Sequence, residues 1–256
     1  GLVHVIGLYA TANVGFFLAQ ITAALAFYVV ARWLRCRWEW AAAGALLFAY
    51  TYHTFHLGLA HFSLVFTWTV PVGLAATLLV AGSRRLAWSR PGAWVCIFAA
   101  IALGSSNPYN FFFWLQLMGW ALLWQGLGSH RWENLQIGVA TVAASLLAFA
   151  VMHGEAWLYV DNPDALPLLA RNYGGTEIYA LKPVEMFIPP QFHHWEWLAF
   201  FGLRYARWSP WRGEVFLPYL GIAGIAGIAW LVVATLRRLI LLCYDIFFTR
   251  RVFLYL

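Results

Sequence analysis

Three groups of residues in this chain carry side chains suited to acid–base or phosphate chemistry. The first is Tyr52-His53-Thr54-Phe55-His56, followed by His61. Imidazole is a ligand for zinc or copper and a general acid or base near neutral pH. Positions 56 and 61 lie about 140° apart around a regular helix, so one helix cannot aim both at a single ion. A turn between them would be needed. Interfacial histidines in ordinary hydrogen bonds, a substrate-lining role for His56 and His61, and a metal site all stay open.

The second group is Ser105-Ser106-Asn107-Pro108-Tyr109-Asn110. Ser and Asn satisfy free backbone groups at helix ends, and Asn-Pro favours a turn. A capped helical hairpin is one expectation. Contact of Asn107 and Tyr109 with a polar headgroup or a sugar is the other. The third group runs from Arg171 through Gly174-Gly175 and Glu177 to Tyr179, then Lys182-Pro183, Glu185, Ile188-Pro189-Pro190 and His193-His194. Arginine and lysine suit phosphate, and a carboxylate can deprotonate an attacking hydroxyl. Glu177 and Glu185 are therefore the candidate bases, with Arg171 and Lys182 the candidate phosphate ligands. Ion pairs among these four are the plainer alternative.

The elements that position these groups follow from composition. Of 256 residues, 63% are hydrophobic and 10% are charged, with mean hydropathy +0.70. A soluble domain carries about 25% charged residues to face water, so this chain is expected to face lipid. Sixteen Trp suit anchoring at headgroup depth. Crossing the hydrocarbon takes roughly twenty apolar residues in a helix. Seven spans are expected, near 8–31, 40–57, 62–82, 91–106, 110–128, 134–153 and 215–236. An eighth at 238–256 is interrupted by Asp245, Arg250 and Arg251. The expected fold is thus an all-α polytopic transmembrane bundle. It divides into helices one to six (1–153), a large loop (154–214), and helix seven with a possible partial eighth (215–256).

Charge placement orients this bundle. Arg32, Arg35 and Arg37 follow the first span; Arg84, Arg85 and Arg90 the third; Arg131 the fifth; Arg237 and Arg238 the seventh. All fall on one side, which the positive-inside rule makes cytoplasmic. The N-terminus of the chain and the loop 154–214 then lie outside, periplasmic, extracellular or luminal. The net charge of +6 is explained by these clusters, and nothing points to nucleic acid. The loop holds seven of the ten acidic residues. Its aromatic stretch Trp195–Trp208, with Arg204 and Arg207, is expected to form a helix lying along the membrane surface. Gly221, Gly224 and Gly227 suit close helix packing, and a nucleotide-binding loop would need a strand before them. Cys36, Cys96 and Cys243 show neither metal spacing nor a disulfide framework. No signal peptide is evident, because no basic region precedes a cleavage site.

Several segments resemble the C-type (GT-C) superfamily of polytopic membrane glycosyltransferases. They are Phe48-Ala49-Tyr50-Thr51-Tyr52 through Gly58-Leu59-Ala60-His61, with Trp68 and Pro71. The others are Glu177-x-Tyr179-x-Leu181-x-Pro183 with Ile188-Pro189-Pro190-x-x-His193, and Tyr219 to Gly224. The resemblance implies transfer of a sugar from a polyprenyl-phosphate carrier on the non-cytoplasmic side. On this basis Glu177 would act as a base or metal-associated carboxylate. Arg171 and Lys182 would hold the carrier phosphate, and His56 and His61 would line the acceptor side. Asn107, Tyr109 and His193 join the substrate-binding candidates. No cofactor is specified; a divalent metal ion is left open, and no metal ligands are assigned.

One departure is plain. The family's hallmark acidic residue lies in a first outer loop, yet no Asp or Glu precedes Glu39. Either that helix and loop lie upstream of these residues, or the chemistry has been lost. Two other functions stay open, a non-catalytic membrane subunit of a larger complex and a lipid or glycan transporter. Transport would draw on Asn13, Gln20 and Gln116, the few polar residues expected at membrane depth.

Overall fold

A computed structural model describes residues 2–51, 54–55, 62–82, 85–129, 131–154, 182–209 and 219–252. Among them the regular structure is entirely helical. The chain forms two compact units, Gly1–Leu168 and Leu169–Leu256.

The first unit opens with α1 (Leu2–Ile6) and α2 (Leu8–Trp33). Gly7 between them has φ +82°, a conformation that costs glycine little. α2 ends in a Schellman turn: Cys36 N–H donates to Ala31 O at 3.0 Å and Arg35 N–H to Arg32 O at 2.9 Å. Arg35 occupies the left-handed position, φ 65°, where glycine is usual. Then follow α3 (Trp38–Ala49), α4 (Phe62–Val65), α5 (Thr69–Ala81), α6 (Pro91–Gly104), α7 (Pro108–Leu123) and α8 (Trp132–Met152). A π-helical turn, Trp124–Ser129, extends α7.

Two expected spans differ from these helices. The segment 40–57 is helical to Ala49, where Tyr50 leaves helical geometry at ψ 51°. The segment 62–82 is split at Phe66–Trp68. Pro71 explains the split, because its ring excludes the carbonyl four residues back and it lacks an N–H. It is therefore accommodated in the first turn of α5.

Side-chain burial in this unit is the reverse of a water-soluble protein. Its interior is rich in Ala19, Ala23, Ala41, Ala45, Ala76, Ala93, Ala99 and Ala100, with Phe111, Met118 and Ile137 as large members. Phe17, Leu25, Val29, Trp94, Phe98, Trp120 and Leu147 are exposed. Small residues let helices approach closely, the mode of packing used where lipid tails replace water. Gly104 shows this most sharply: a Cβ there would meet the Ser145 carbonyl oxygen of α8 and Phe149 N at 3.0 Å. Likewise a Cβ at Gly73 would meet Trp114 Cδ1 at 2.7 Å.

Buried polar groups in this unit are mostly paired, as a dry interior demands. The Asn134 Oδ1 accepts from Leu86 N–H at 2.8 Å, and its Nδ2 donates to Val80 O at 3.2 Å. Gln125 Nε2 donates to the same Val80 carbonyl at 2.6 Å. Gln125 sits in the π-helical turn, so two amides hold the end of α5, and Asn134 also holds Leu86 in the connection that follows.

The second unit contains a 3₁₀ turn (Pro183–Met186), α9 (Glu196–Trp208) and α10 (Gly221–Val252). Residues 238–252 continue α10 without a break, so the expected partial eighth span is the end of the same helix. Gly221 opens it with φ +70°. By length and composition, Leu8–Trp33, Trp132–Gly154 and Gly221–Leu241 can cross a membrane; Thr69–Ala81 and Pro91–Gly104 are apolar but shorter.

Candidate functional site

In the second unit, the residues 182–209 fold back on themselves and gather three of the predicted site residues. Lys182 precedes the 3₁₀ turn, and its carbonyl accepts from Glu185 N–H at 2.8 Å. The turn carries Glu185 inward, where it is only 3% exposed. Its Oε1 accepts the hydroxyl of Tyr205 at 2.9 Å. Burial raises the Tyr205 phenol above its ordinary value, and the bond to Glu185 adds to the rise, while Ser209 opposes it.

α9 can reach this turn because Leu198, Gly202, Tyr205 and Ser209 fall on one helical stripe, three and four residues apart. Leu198, Gly202 and Ser209 are buried and Tyr205 is half-buried. Gly202 permits the approach: a Cβ there would meet the Pro189 carbonyl oxygen and Gln191 N at 2.7 Å. Pro189 and Pro190 are themselves buried, which seats the Ile-Pro-Pro run against the helix. Leu220 N–H donates to Met186 O at 3.1 Å, tying the start of α10 to the same turn.

His193 is half-buried at the end of this run. Its Nδ1 accepts from Trp195 N–H at 3.1 Å, so the neutral ring carries its proton on Nε2. The imidazole lies edge-on to Tyr219, ring centroids 6.3 Å apart, and near Trp195 at 5.8 Å. An Nε2–H so oriented can donate to an acceptor such as a phosphate or sugar oxygen. Glu185 is less available, because it is buried and already engaged by Tyr205. Its geometry suits holding the turn in place.

Asn107 and Tyr109 belong to the first unit. Asn107 caps α7, its Oδ1 accepting from Tyr109 N–H at 2.8 Å. The Tyr109 side chain is 67% exposed. His153, at the end of α8, points Nε2 at Ser106 O at 3.4 Å and packs on Phe149 at 4.4 Å between ring centroids. The capped hairpin and the histidine thus meet at one end of the α6–α7–α8 group. Gln20, at mid-length in α2, is 2% exposed, and its amide makes no hydrogen bond among the described residues. Glu177, Arg171, His56 and His61 lie outside the described residues.

Among the described residues no group of three His, Cys, Asp or Glu side chains stands ready to hold a metal. Sequence reasoning missed Tyr205, the partner of Glu185. The signal available for it was the stripe 198, 202, 205 and 209, obscured because aromatic residues cover the other faces of α9 too. In comparisons with known proteins, no family model, no curated protein and no solved structure matches the chain.

Proposed function

We propose that the chain is a membrane glycosyltransferase of the C-type kind, moving a sugar from a polyprenyl-phosphate carrier on the non-cytoplasmic side. One observation carries this reading. Lys182, Glu185 and His193, singled out in the sequence as candidate site residues, belong to one short folded stretch held by the Glu185–Tyr205 bond. Leu220, at the start of α10, is hydrogen-bonded to Met186 of that stretch, and α10 is apolar and long enough to cross a bilayer. A cation suits the phosphate of a lipid-linked sugar, and the imidazole and the apolar helix beside it suit its sugar and its lipid.

In this reading Arg171 and Lys182 hold the carrier phosphate, and Glu177 deprotonates the acceptor hydroxyl. His193 donates to the phosphate or sugar, while His56 and His61 line the acceptor side. Glu185 keeps the loop in shape through Tyr205. The test is sugar transfer from radiolabelled polyprenyl-phosphate sugars by the full-length product in membranes. Glu177→Gln is expected to lower turnover about 100-fold or more, the loss of a general base. Unchanged turnover removes Glu177 from catalysis.

A second reading has its own observation. No residue in the apolar window of α10 is buried, so a face is available for another membrane chain. A non-catalytic subunit would use it. Purification in mild detergent as a stoichiometric complex, without transfer activity, would favour that reading over the enzyme.

A further inference from the structure

α9 buries one narrow stripe and leaves more than half its circumference open. Two different surfaces share that open side. Trp197, Phe201 and Trp208 are 61%, 54% and 82% exposed and lie within about 40° of one another around the helix. Beside them run Phe200, Leu203, Arg204 and Arg207, spaced i, i+3, i+4 and i+7, which line a cavity of about 500 Å³.

The two arginines are exposed. They stand about 60° apart around the axis and about 4.5 Å apart along it, flanking Phe200. Among the described residues neither makes an ion pair; the salt bridges there are Arg37–Glu39 and Arg85–Glu133. Glu185 belongs to the opposite, buried side, taken by Tyr205. Glu196, on the same helix, is about 12 Å along the axis from Arg204. Among the described residues the pair therefore presents positive charge without an acidic partner, beside the apolar side chains of Phe200 and Leu203.

From this juxtaposition we propose that the Phe200–Leu203–Arg204–Arg207 stripe is a binding site for the phosphate headgroup of an anionic phospholipid. Two guanidiniums at this spacing match the oxygens of one phosphate diester, and arginine engages phosphate through paired N–H groups. Phe200 and Leu203 suit the glycerol and upper acyl carbons, which inorganic phosphate lacks. The neighbouring Trp and Phe strip seats the helix at headgroup depth. A zwitterionic lipid brings its own ammonium beside the phosphate, and two arginines disfavour it. The proposal is independent of sugar transfer and is unaffected by the outcome for Glu177→Gln.

The full chain, purified in neutral detergent, is titrated with phosphatidylglycerol or phosphatidylcholine, and bound lipid is counted by native mass spectrometry. The wild type is expected to retain phosphatidylglycerol in preference to phosphatidylcholine. Arg204→Gln with Arg207→Gln should weaken phosphatidylglycerol retention about 25-fold, each basic residue contributing a factor of about five near an anionic surface. Equal retention of the two lipids by the wild type, or an unchanged preference in the double variant, overturns the site. So does displacement by inorganic phosphate at matched ionic strength, which would make it a free-phosphate site. If the double variant does not fold, a salt series on the wild type decides. Preference that falls as salt rises supports the site, since exposed charges are screened; salt-independent preference overturns it.

Discussion

The Tyr205 hydroxyl meets Glu185 across twenty residues of chain, at 2.9 Å and half-buried. A hydrogen bond of this kind, to a carboxyl group, contributes about 1–2 kcal/mol once exposure is allowed for. Tyr205→Phe should therefore loosen residues 182–209, read as faster amide exchange of Leu198 and Gly202, with α2 and α8 unchanged. The phenol adds a pH dependence. Burial keeps it protonated to higher pH in the folded chain than in the unfolded one. The folded form thus binds the proton more tightly, and stability is lost as pH rises above about 10. Protection, after correction for the rise of intrinsic exchange with pH, should fall in that range in the wild type and stay level in the Phe variant. At this scale the sequence was informative about types and poor about partners. Glu185 was legible as one of a cluster of charged groups with Glu177, Arg171 and Lys182, whereas Tyr205 was one aromatic in a helix crowded with them. Asn107 was legible as a cap because capping is local, and it caps α7.

Helices are held together here by what their side chains leave out. Gly104 places α6 so close to α8 that any side chain would press on the Ser145 carbonyl, and backbone cannot step aside as a flexible side chain can. Gly104→Val should lower the midpoint of thermal unfolding in detergent, by about 2 kcal/mol or more in stability. Valine at Gly119, where a Cβ meets nothing within 4 Å, should be neutral or gain roughly a few tenths of a kcal/mol, since valine is the better helix former. Equal losses at the two positions would contradict tight packing of α6 on α8. Most helices were legible as apolar runs, because a run of that length has few other ways to satisfy its backbone. Their interruptions were less so. Pro71 marked the start of α5, yet the hydrophobic run through Phe66 and Trp68 masked the break. The π-helical turn at Trp124–Ser129 had no local signal, since it serves a contact between Gln125 and the distant Val80 carbonyl.

Across the molecule, the proposed orientation rests on arginines gathered at one boundary and on α9 at the other. It is testable with a membrane-impermeant maleimide on sealed vesicles of known sidedness. In a chain lacking its other cysteines, Cys36 should react from the cytoplasmic face alone. Cysteine placed at Trp197, 61% exposed, should react from the opposite face alone. Labelling of both from one side would reverse the assignment of the loop. The chain's length in α10 carries a consequence for its surroundings. Thirty-two residues make a rod about 48 Å long, against a hydrocarbon layer of about 30 Å. Its apolar window takes in Gly221–Leu241, and the helix runs on to Val252 without a break, so the rod is longer than such a layer is thick. In a helix this long and unbroken, a push or twist at one end would be carried without bending to the Met186 turn that Leu220 fastens at the other.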